Sequence, residues 1–403
     1  MAPTLRSFVV VVLAAVAPAT PAVACEQPGS DACAALALRA VYKGEAWRNL
    51  TGGIRTGGDY LDNLDLIADV DANRWPGLEG LKLRAHVIYN NGHEFGARYV
   101  GERQALSNIE GVPTWRLYEI WADYSFGEKT SNSVRFGLYD LNTEFNALDV
   151  STLFINSSQG TGAELAQSGL NGPSIFPVTG LALRVKGGAG RFYWQFAALD
   201  DVPGEPGHPD RTGFHLDRTE GALLAAEFGG ATAGFSKLAL GGWRYTAQFD
   251  SIDELTASGD PVRASGNQGF YLLAERPFRS RGNSSINGFL RAGVAEARVN
   301  QLSGFVGTGV VMRGFSAARP DDALGFAIAH ASNGHRFRQF AVRNGTAAER
   351  SETVMELTWR APVTGWLTLQ PSLQYVVNPG MDPQLANSWA LGLRFEMSAS
   401  GTR

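Results

Sequence analysis

The sequence predicts an all-β fold: a closed antiparallel transmembrane β-barrel of about sixteen strands, with short periplasmic turns and long extracellular loops. Apolar residues recur at every second position in many segments, which is the period of a β-strand with one apolar face. Glycine supplies 48 of the 403 residues, well above its usual share of about 7%, and it is costly inside helices. The links between predicted strands are mostly short and long in turn, which places turns at one end and loops at the other.

Residues 1–24 have the pattern of a secretory signal peptide. Arg6 precedes the apolar run Phe8–Ala17, and the stretch ends in Ala22-Val23-Ala24, so we expect cleavage before Cys25. The apolar run is shorter than the ~20 residues that a membrane-spanning helix needs. After export, Cys25 and Cys33 would face an oxidising compartment. There a local disulfide between them is favoured, and lipidation of Cys25 is the alternative.

The remaining chain divides into a periplasmic N-terminal segment (25–38), a transmembrane barrel (39–397) and a C-terminal tail (398–403). The first predicted strands cover residues 39–50, 54–70, 79–90, 115–126 and 133–141. Their alternation is clearest where apolar side chains are separated by charged ones, as in Leu81, Leu83, Ala85, Val87 and Tyr89 with Lys82, Arg84 and His86 between them. By the same rule Tyr118, Ile120, Ala122 and Tyr124 are expected to face lipid.

Eleven further strands are predicted in the rest of the chain. They cover residues 178–186, 190–199, 220–229, 237–249, 267–277, 284–298, 302–314, 322–332, 351–361, 365–377 and 386–397. The last shows the period most plainly, with apolar Trp389, Leu391, Leu393 and Phe395 at alternate positions. An even number of strands places both chain termini at the periplasmic end of the barrel. A secreted β-sandwich or propeller would also alternate, but so many strands in a row without a domain break are rare there.

The polar face of these strands predicts a hydrated lumen lined by ions of both signs. Arginine offers a rigid fork of donors and carboxylates accept, so rows of both suit the hydroxyl groups of sugars. The candidate pore-lining residues on strands are Asn63, Asp65, Lys82, Arg84, Glu119, Trp121, Arg135, Arg184, Arg291 and Arg394.

The longest connection, residues 142–177, is expected to fold into the barrel and narrow it, since loops of this length are usually functional. Asn142 and Glu144 are then expected to face the arginines of the lumen. We expect no cofactor and no metal site, because the six histidines show no metal-ligand spacing. A net charge of −4 gives no basic surface for nucleic acid.

Several segments resemble the carbohydrate-selective porin family (OprB type) of Gram-negative outer membranes. The shared segments include Tyr60-Leu-Asp-Asn-Leu-Asp-Leu66, Arg116-Leu-Tyr-Glu119, Gly172-Pro-Ser-Ile-Phe-Pro177, Arg319-Pro-Asp-Asp322 and Gln370-Pro-Ser-Leu-Gln-Tyr375. Their order runs from about residue 40 to 397. The resemblance implies an outer-membrane barrel that passes small sugars such as glucose by facilitated diffusion. Unlike many outer-membrane barrels, this chain continues past Phe395 to Arg403 without an aromatic end, so we expect its assembly signal to be internal or altered.

The expected partners are small sugars as solutes, outer-membrane lipid and the barrel assembly machinery, with the chain a monomer or a homotrimer. The alternatives in function are a general non-selective porin, a barrel enzyme and a secreted sugar-binding β-sandwich. An enzyme would rest on His330 and Ser332, which share a strand face and could pair a base with a nucleophile. No Gly-x-Ser-x-Gly nucleophile motif is present.

Overall fold

The computed structural model describes residues 36–92, 94–127, 132–213 and 221–402. In these ranges sixteen antiparallel strands close into a barrel, which confirms the predicted fold class. The strands are β1 (Leu36–Gly53), β2 (Gly57–Asp71), β3 (Leu81–Asn90), β4 (Thr114–Phe126), β5 (Asn132–Tyr139), β6 (Gly180–Ala189), β7 (Phe192–Leu199), β8 (Leu223–Thr232), β9 (Phe235–Tyr245), β10 (Phe249–Leu255), β11 (Pro261–Ala264), β12 (Gln268–Arg281), β13 (Ser284–Ala295), β14 (Leu302–Arg313), β15 (Ala323–Asn333), β16 (Ser351–Pro362), β17 (Leu367–Val377) and β18 (Ala386–Thr402). Of these, β10 and β11 form a separate hairpin in the loop between β9 and β12.

Pairing of the first strand with the last closes the barrel. The register of β1 and β18 runs from Ala37 opposite Thr402 to Gly53 opposite Ala386. Closure leaves no unpaired strand edge, which is the condition for a sheet in lipid. Two α-helices lie in the described loops, α1 (Ala163–Ala166) and α2 (His335–Arg343). No helix within the described ranges is both long and apolar enough to span a membrane.

The two faces of the barrel wall differ as the alternation predicts. On β6, Leu183 is 46% exposed on the outside, whereas its neighbour Arg184 is 1% exposed and lies inside. On β16, Leu357 is 47% exposed and Glu356 is fully buried. Large apolar side chains therefore cover the outside, where hydrocarbon replaces water. Other members of this outer set are Leu66, Leu83, Ile120, Phe136, Phe196, Phe228, Leu240, Phe270, Phe326 and Leu391.

Short turns collect at one end of the barrel and long loops at the other. The links from β6 to β7 and from β8 to β9 have two residues each. Gly190 and Gly234 occupy these links with φ of +64° and +97°, a left-handed conformation that tight hairpin turns require and glycine tolerates. The opposite end carries the connections 91–113, 140–179, 200–222, 246–267 and 334–350. We call these the turn end and the loop end.

Two details of the sequence prediction differ from the structure. Tyr118 was expected to face lipid, but the register of β3 and β4 shifts between His86 and Val87, and Tyr118 is turned inside. Its hydroxyl group donates to the carboxylate of Asp140. In addition, β18 continues to Thr402 and pairs with β1, so residues 398–402 belong to the barrel wall and are not a separate tail. The predicted signal peptide and the pair Cys25 and Cys33 lie outside the described residues.

Candidate functional site

Residues 140–179, which we call the constriction loop, fold into the barrel and bind its inner wall. Buried carboxylates of the wall accept backbone N–H groups of the loop: Glu227 from Asn146 at 2.9 Å, Glu275 from Val150 at 2.6 Å, and Glu356 from Ile155 and Asn156 at 2.9 and 3.0 Å. Hydrogen bonds to ionised acceptors are the stronger kind. These bonds hold the loop against the wall formed by β8 to β17. Glu144 of the loop contacts the other side of the barrel, formed by β2 to β6, which we call the free wall.

Small residues on the inner wall allow the constriction loop to approach this closely. A Cβ at Gly293 on β13 would overlap the carboxylate of Glu164 in α1. A Cβ at Gly325 on β15 would meet the side chains of Leu153 and Phe154 at 2.6 and 2.8 Å. Glycine at these two positions makes room for the loop.

A second inward loop, residues 94–113, braces the first, and we call it the brace loop. Glu352 on β16 accepts the N–H groups of Arg103 and Gln104 at 2.9 and 3.0 Å. Backbone hydrogen bonds then join the two loops, from Asn108 to Ile155 at 2.9 Å and from Ser157 to Ala105 at 3.0 Å. The two loops form one hydrogen-bonded body inside the barrel.

A row of charges lies where the constriction loop meets the free wall, and we call it the charge ladder. It contains Asp123, Arg135, Arg184 and Lys186 of the wall and Glu144 of the loop. Strand register places Asp123 opposite Arg135 and Arg135 opposite Arg184, on three adjacent strands. Asp123 accepts from Arg135 at 2.9 Å and from Arg184 at 2.5 Å. Glu144, which comes from the loop, accepts from Arg184 at 2.8 Å and from Lys186 at 3.0 Å.

Trp121 connects the charge ladder to a second group of charges. Its ring lies 3.9 Å from the guanidinium carbon of Arg135 and 5.2 Å from that of Arg84. Arg84 donates to Asp69 at 2.6 Å and lies 3.6 Å from Glu119. Cation–π contacts with both arginines fix the position of the indole. The free wall thus presents rigid donors and acceptors next to an aromatic ring.

Glu144 keeps its negative charge over a wide pH range. Burial would raise the pKa of its carboxyl group, but the nearby charges of Arg135, Arg184 and Lys186 outweigh burial and lower the pKa to about 2. In the same loop, burial raises the pKa values of Asp140 and Glu164 to about 7. The carboxyl groups of the loop therefore titrate in two pH ranges, Asp140 and Glu164 near neutral pH and Glu144 in strong acid.

The thermal stability of the barrel is expected to increase as the pH is lowered from 8 to 5, and to decrease again at still lower pH. Asp140 and Glu164 hold a proton more tightly folded than unfolded, so their protonation stabilises the folded state. Glu144 behaves in the opposite way, and its contribution is lost as the pH falls from about 4.3, the unfolded value, toward its folded pKa. The midpoint of the heat-induced mobility shift on gels measures this. Glu164→Gln should flatten the upper limb, and a flat wild-type profile between pH 8 and 5 would contradict the assignment.

The comparisons with known proteins decide the family. A model described as "Carbohydrate-selective porin, OprB family" matches residues 55–398. The chain belongs to this family of carbohydrate-selective porins. It is therefore an outer-membrane channel for sugars, and its family and fold place it among channels and not among enzymes. His330, the candidate base of the alternative enzyme, hydrogen-bonds to Thr353 on the neighbouring strand at 2.8 Å.

Relatives of this porin agree with that family. Porin B of Pseudomonas aeruginosa is 28% identical over 88% of this chain and 86% of its own length. A high-pH structure of Pseudomonas putida OprB matches with a TM-score of 0.80 at 23% identity, covering 91% of this chain and 94% of that chain. Its low-pH structure matches with a TM-score of 0.57 at 19% identity, covering 91% and 93%. The two structural likenesses show a shared fold.

The structure brings a majority of the predicted pore-lining residues of this porin together on the free wall. Trp121, Arg135, Glu144 and Arg184 lie in or beside the charge ladder. The other group contains Asp65, Arg84 and Glu119, which His86 links through contacts of 3.0 Å to Asp65 and 3.6 Å to Glu119.

Five predicted residues lie elsewhere or act differently. Arg291 is fully buried beneath the constriction loop and does not line the open lumen. Asn142 folds its amide onto the loop's own carbonyl groups. Asn63 is buried against Asn90. The remaining two are Arg394 and Lys82. Arg394 binds Glu45 on β1 and Asn108 in the brace loop, and Lys82 is exposed toward the turn end.

Sequence reasoning missed the wall carboxylates that hold the loops, Glu227, Glu275 and Glu352. Strand phase contained a signal for them. Phe228 is 55% exposed on the outside, so its neighbour Glu227 must point inside. A carboxylate that strand phase turns inward is a candidate acceptor for backbone N–H groups of an inward loop.

Proposed function

We propose that the charge ladder, together with Trp121, is the sugar-selective constriction of this porin, and that neutral monosaccharides of the glucose type are its main solutes. The observation that carries the proposal is the row Asp123, Arg135 and Arg184, which strand register aligns across three strands and which Glu144 meets from the loop. Every cation of this row contacts a carboxylate, and three cations against two carboxylates leave only a small net positive charge. The constriction is therefore polar without favouring a strongly charged solute.

A passing sugar exchanges hydrogen bonds with this row in small steps. Arg135 and Lys186 keep part of their surface open, with side-chain exposures of 15% and 38%. Their N–H groups can donate to one hydroxyl oxygen while Glu144 accepts from a neighbouring hydroxyl. The ion pairs already satisfy these groups, so each sugar contact replaces an existing one and stays weak. Weak contacts at several positions permit both entry and release.

Selectivity for sugars over other solutes of similar size is the first test of this proposal. Liposomes that contain the purified porin should swell faster in glucose than in zwitterionic amino acids of similar size, because fixed charges of both signs hold an amino acid through two strong contacts. Heat-denatured porin, which has lost its heat-modifiable mobility, serves as the inactive control. Equal swelling rates for the two solute classes would support a general non-selective porin instead.

The same proposal includes the route to the membrane. We infer that residues 1–24 direct export and that the barrel assembly machinery inserts the chain, as a monomer or a homotrimer. The support is the signal-peptide pattern and the continuous pairing of β1 with β18. Chemical cross-linking in intact membranes distinguishes a monomer from a trimer.

A further inference from the structure

A cavity lies inside the barrel, between the constriction loop and the turn end. It has a volume of about 540 Å³ and is bounded by loop residues Asp149 and Val150 on one side. The wall of β7, β9 and β12 to β14 bounds it on the other side, with the polar side chains Tyr193, Lys237, Glu275, Asn287 and Arg313. The β6–β7 pair connects this cavity to the charge ladder, because Lys186 of the ladder lies opposite Gln195, two residues along β7 from Tyr193. Arg191, which also lines the cavity, lies in the short link between these strands, so the cavity is on the turn-end side of the ladder.

The balance of charges in this cavity differs from that of the charge ladder. Arg191 and Arg313 both line it, and neither forms an ion pair with any residue that the structure describes. Arg313 follows Val311 by two positions on β14, so strand phase points its side chain into the lumen. Lys237 donates to the carbonyl oxygen of Ala147 at 2.7 Å and lies 3.8 Å from Glu227.

Two carboxylates face these cations. Glu275 is already engaged, because it accepts the N–H group of Val150 at 2.6 Å. Asp149 is exposed on the loop and forms no salt bridge with a described residue. Two guanidinium groups that form no ion pair with a described residue therefore line the cavity. The amide of Asn287, which donates to Ser285 at 3.2 Å, lies in the same lining and its oxygen can accept from a hydroxyl group. Guanidinium forks match the geometry of carboxylate and phosphate.

We propose that this cavity is an exit-side binding site for hydroxylated solutes that carry one anionic group, namely sugar acids or phosphorylated sugars. Arg191 and Arg313 bind the anionic group, and Asn287 binds a hydroxyl group of the same molecule. This site depends on the proposed function in one respect, namely that anionic solutes enter through the same lumen as sugars. The charge ladder passes neutral solutes, and the exit-side cavity retains anionic ones.

Block of the ion current in planar bilayers tests this site. Gluconate, glucose 6-phosphate or glucose is added on the turn-end side of the full-length porin. Gluconate and glucose 6-phosphate should block at lower concentration than glucose. In the double variant Arg191→Gln, Arg313→Gln the half-blocking concentration of both anions should rise roughly tenfold, as for the loss of charge-assisted hydrogen bonds in water, with no change for glucose.

Two more variants complete the test. Asp149→Asn removes a repelling charge and should lower the half-blocking concentration of the anions. Arg281→Gln, at an exposed position near the turn end that does not line the cavity, should leave the half-blocking concentration unchanged. Anions that block no better than glucose, or a double variant that matches wild type, would overturn the site. Glucose that fails to permeate while the anions still block would defeat the proposed function and leave this site standing.

Discussion

Replacing Arg291 by methionine is expected to raise single-channel conductance by roughly twofold or more, because the narrowest cross-section limits current through a water-filled pore. Arg291 is fully buried on β13. Its guanidinium group donates to carbonyl oxygens from two separate parts of the constriction loop, Asn146 on one side and Ser158, Gln159 and Gly160 on the other. Methionine fills a similar volume but donates nothing.

The physical reason is the number of acceptors that one side chain satisfies. A buried acceptor left without a partner costs about 1–3 kcal/mol. After the substitution, these carbonyl oxygens have no donor from the wall. We expect the loop to move away from the wall so that water can donate to them. The carboxylates Glu227 and Glu356 still hold parts of the loop, so we expect a wider and noisier pore and not a fully open barrel. Selectivity for glucose over amino acids should fall in the same variant.

Matched variants separate loop release from general damage. Arg291→Lys keeps the charge but reaches fewer carbonyl groups, and should give an intermediate conductance. Arg360→Met is the control. Arg360 lies on β16, 3.8 Å from Glu396, and does not bind the constriction loop, so the conductance of this variant should equal that of wild type. Heat-modifiable mobility on gels confirms that each barrel is folded. Wild-type conductance in folded Arg291→Met would show that Arg291 does not hold the constriction.

The alternation of side chains predicted the wall of this porin well because strand phase is a local property. Arg135 and Arg184 point inside since Phe136 and Leu183 must face lipid, and no knowledge of distant residues is needed. The same rule failed at Tyr118, where a shift in register between neighbouring strands changes the phase. Such an irregularity depends on how two strands meet, and one strand alone does not reveal it.

The path of the inward loops could not be predicted in the same way. Phase placed Arg291 and Arg184 alike on the inner face, and both are buried. Arg291 lies under the loop and binds its carbonyl groups, whereas Arg184 bridges Asp123 and Glu144 of the charge ladder. The difference arises from contacts between residues far apart in the chain, such as Ile155 with Glu356. Length alone predicted that residues 142–177 fold inside. The hydrogen bonds that select the covered wall appear only in three dimensions.

Replacing Glu144 by glutamine is expected to make the pore anion-selective and to weaken its interaction with glucose roughly tenfold, as for the loss of one charge-assisted acceptor. Glu144 accepts from Arg184, Lys186 and Tyr139 at 2.8, 3.0 and 2.7 Å, and it lies 3.6 Å from Arg135. Glutamine keeps the size of the side chain and removes its charge. Three cations then share Asp123 alone as a fixed counter-charge within the ladder.

The reversal potential in a salt gradient measures the change in ion selectivity, and current block by glucose measures the sugar contact. Glu254→Gln is the control, because Glu254 forms comparable ion pairs with Arg298 and Arg336 at the loop end, away from the ladder. Asp123→Asn removes the other carboxylate of the row and should shift the reversal potential in the same direction as Glu144→Gln. If Glu144→Gln and the control give the same reversal potential and the same block, the charge ladder is a structural feature of the wall. Selectivity would then have to arise at another part of the lumen. The group formed by Arg84, Glu119 and Trp121 would be the next to test.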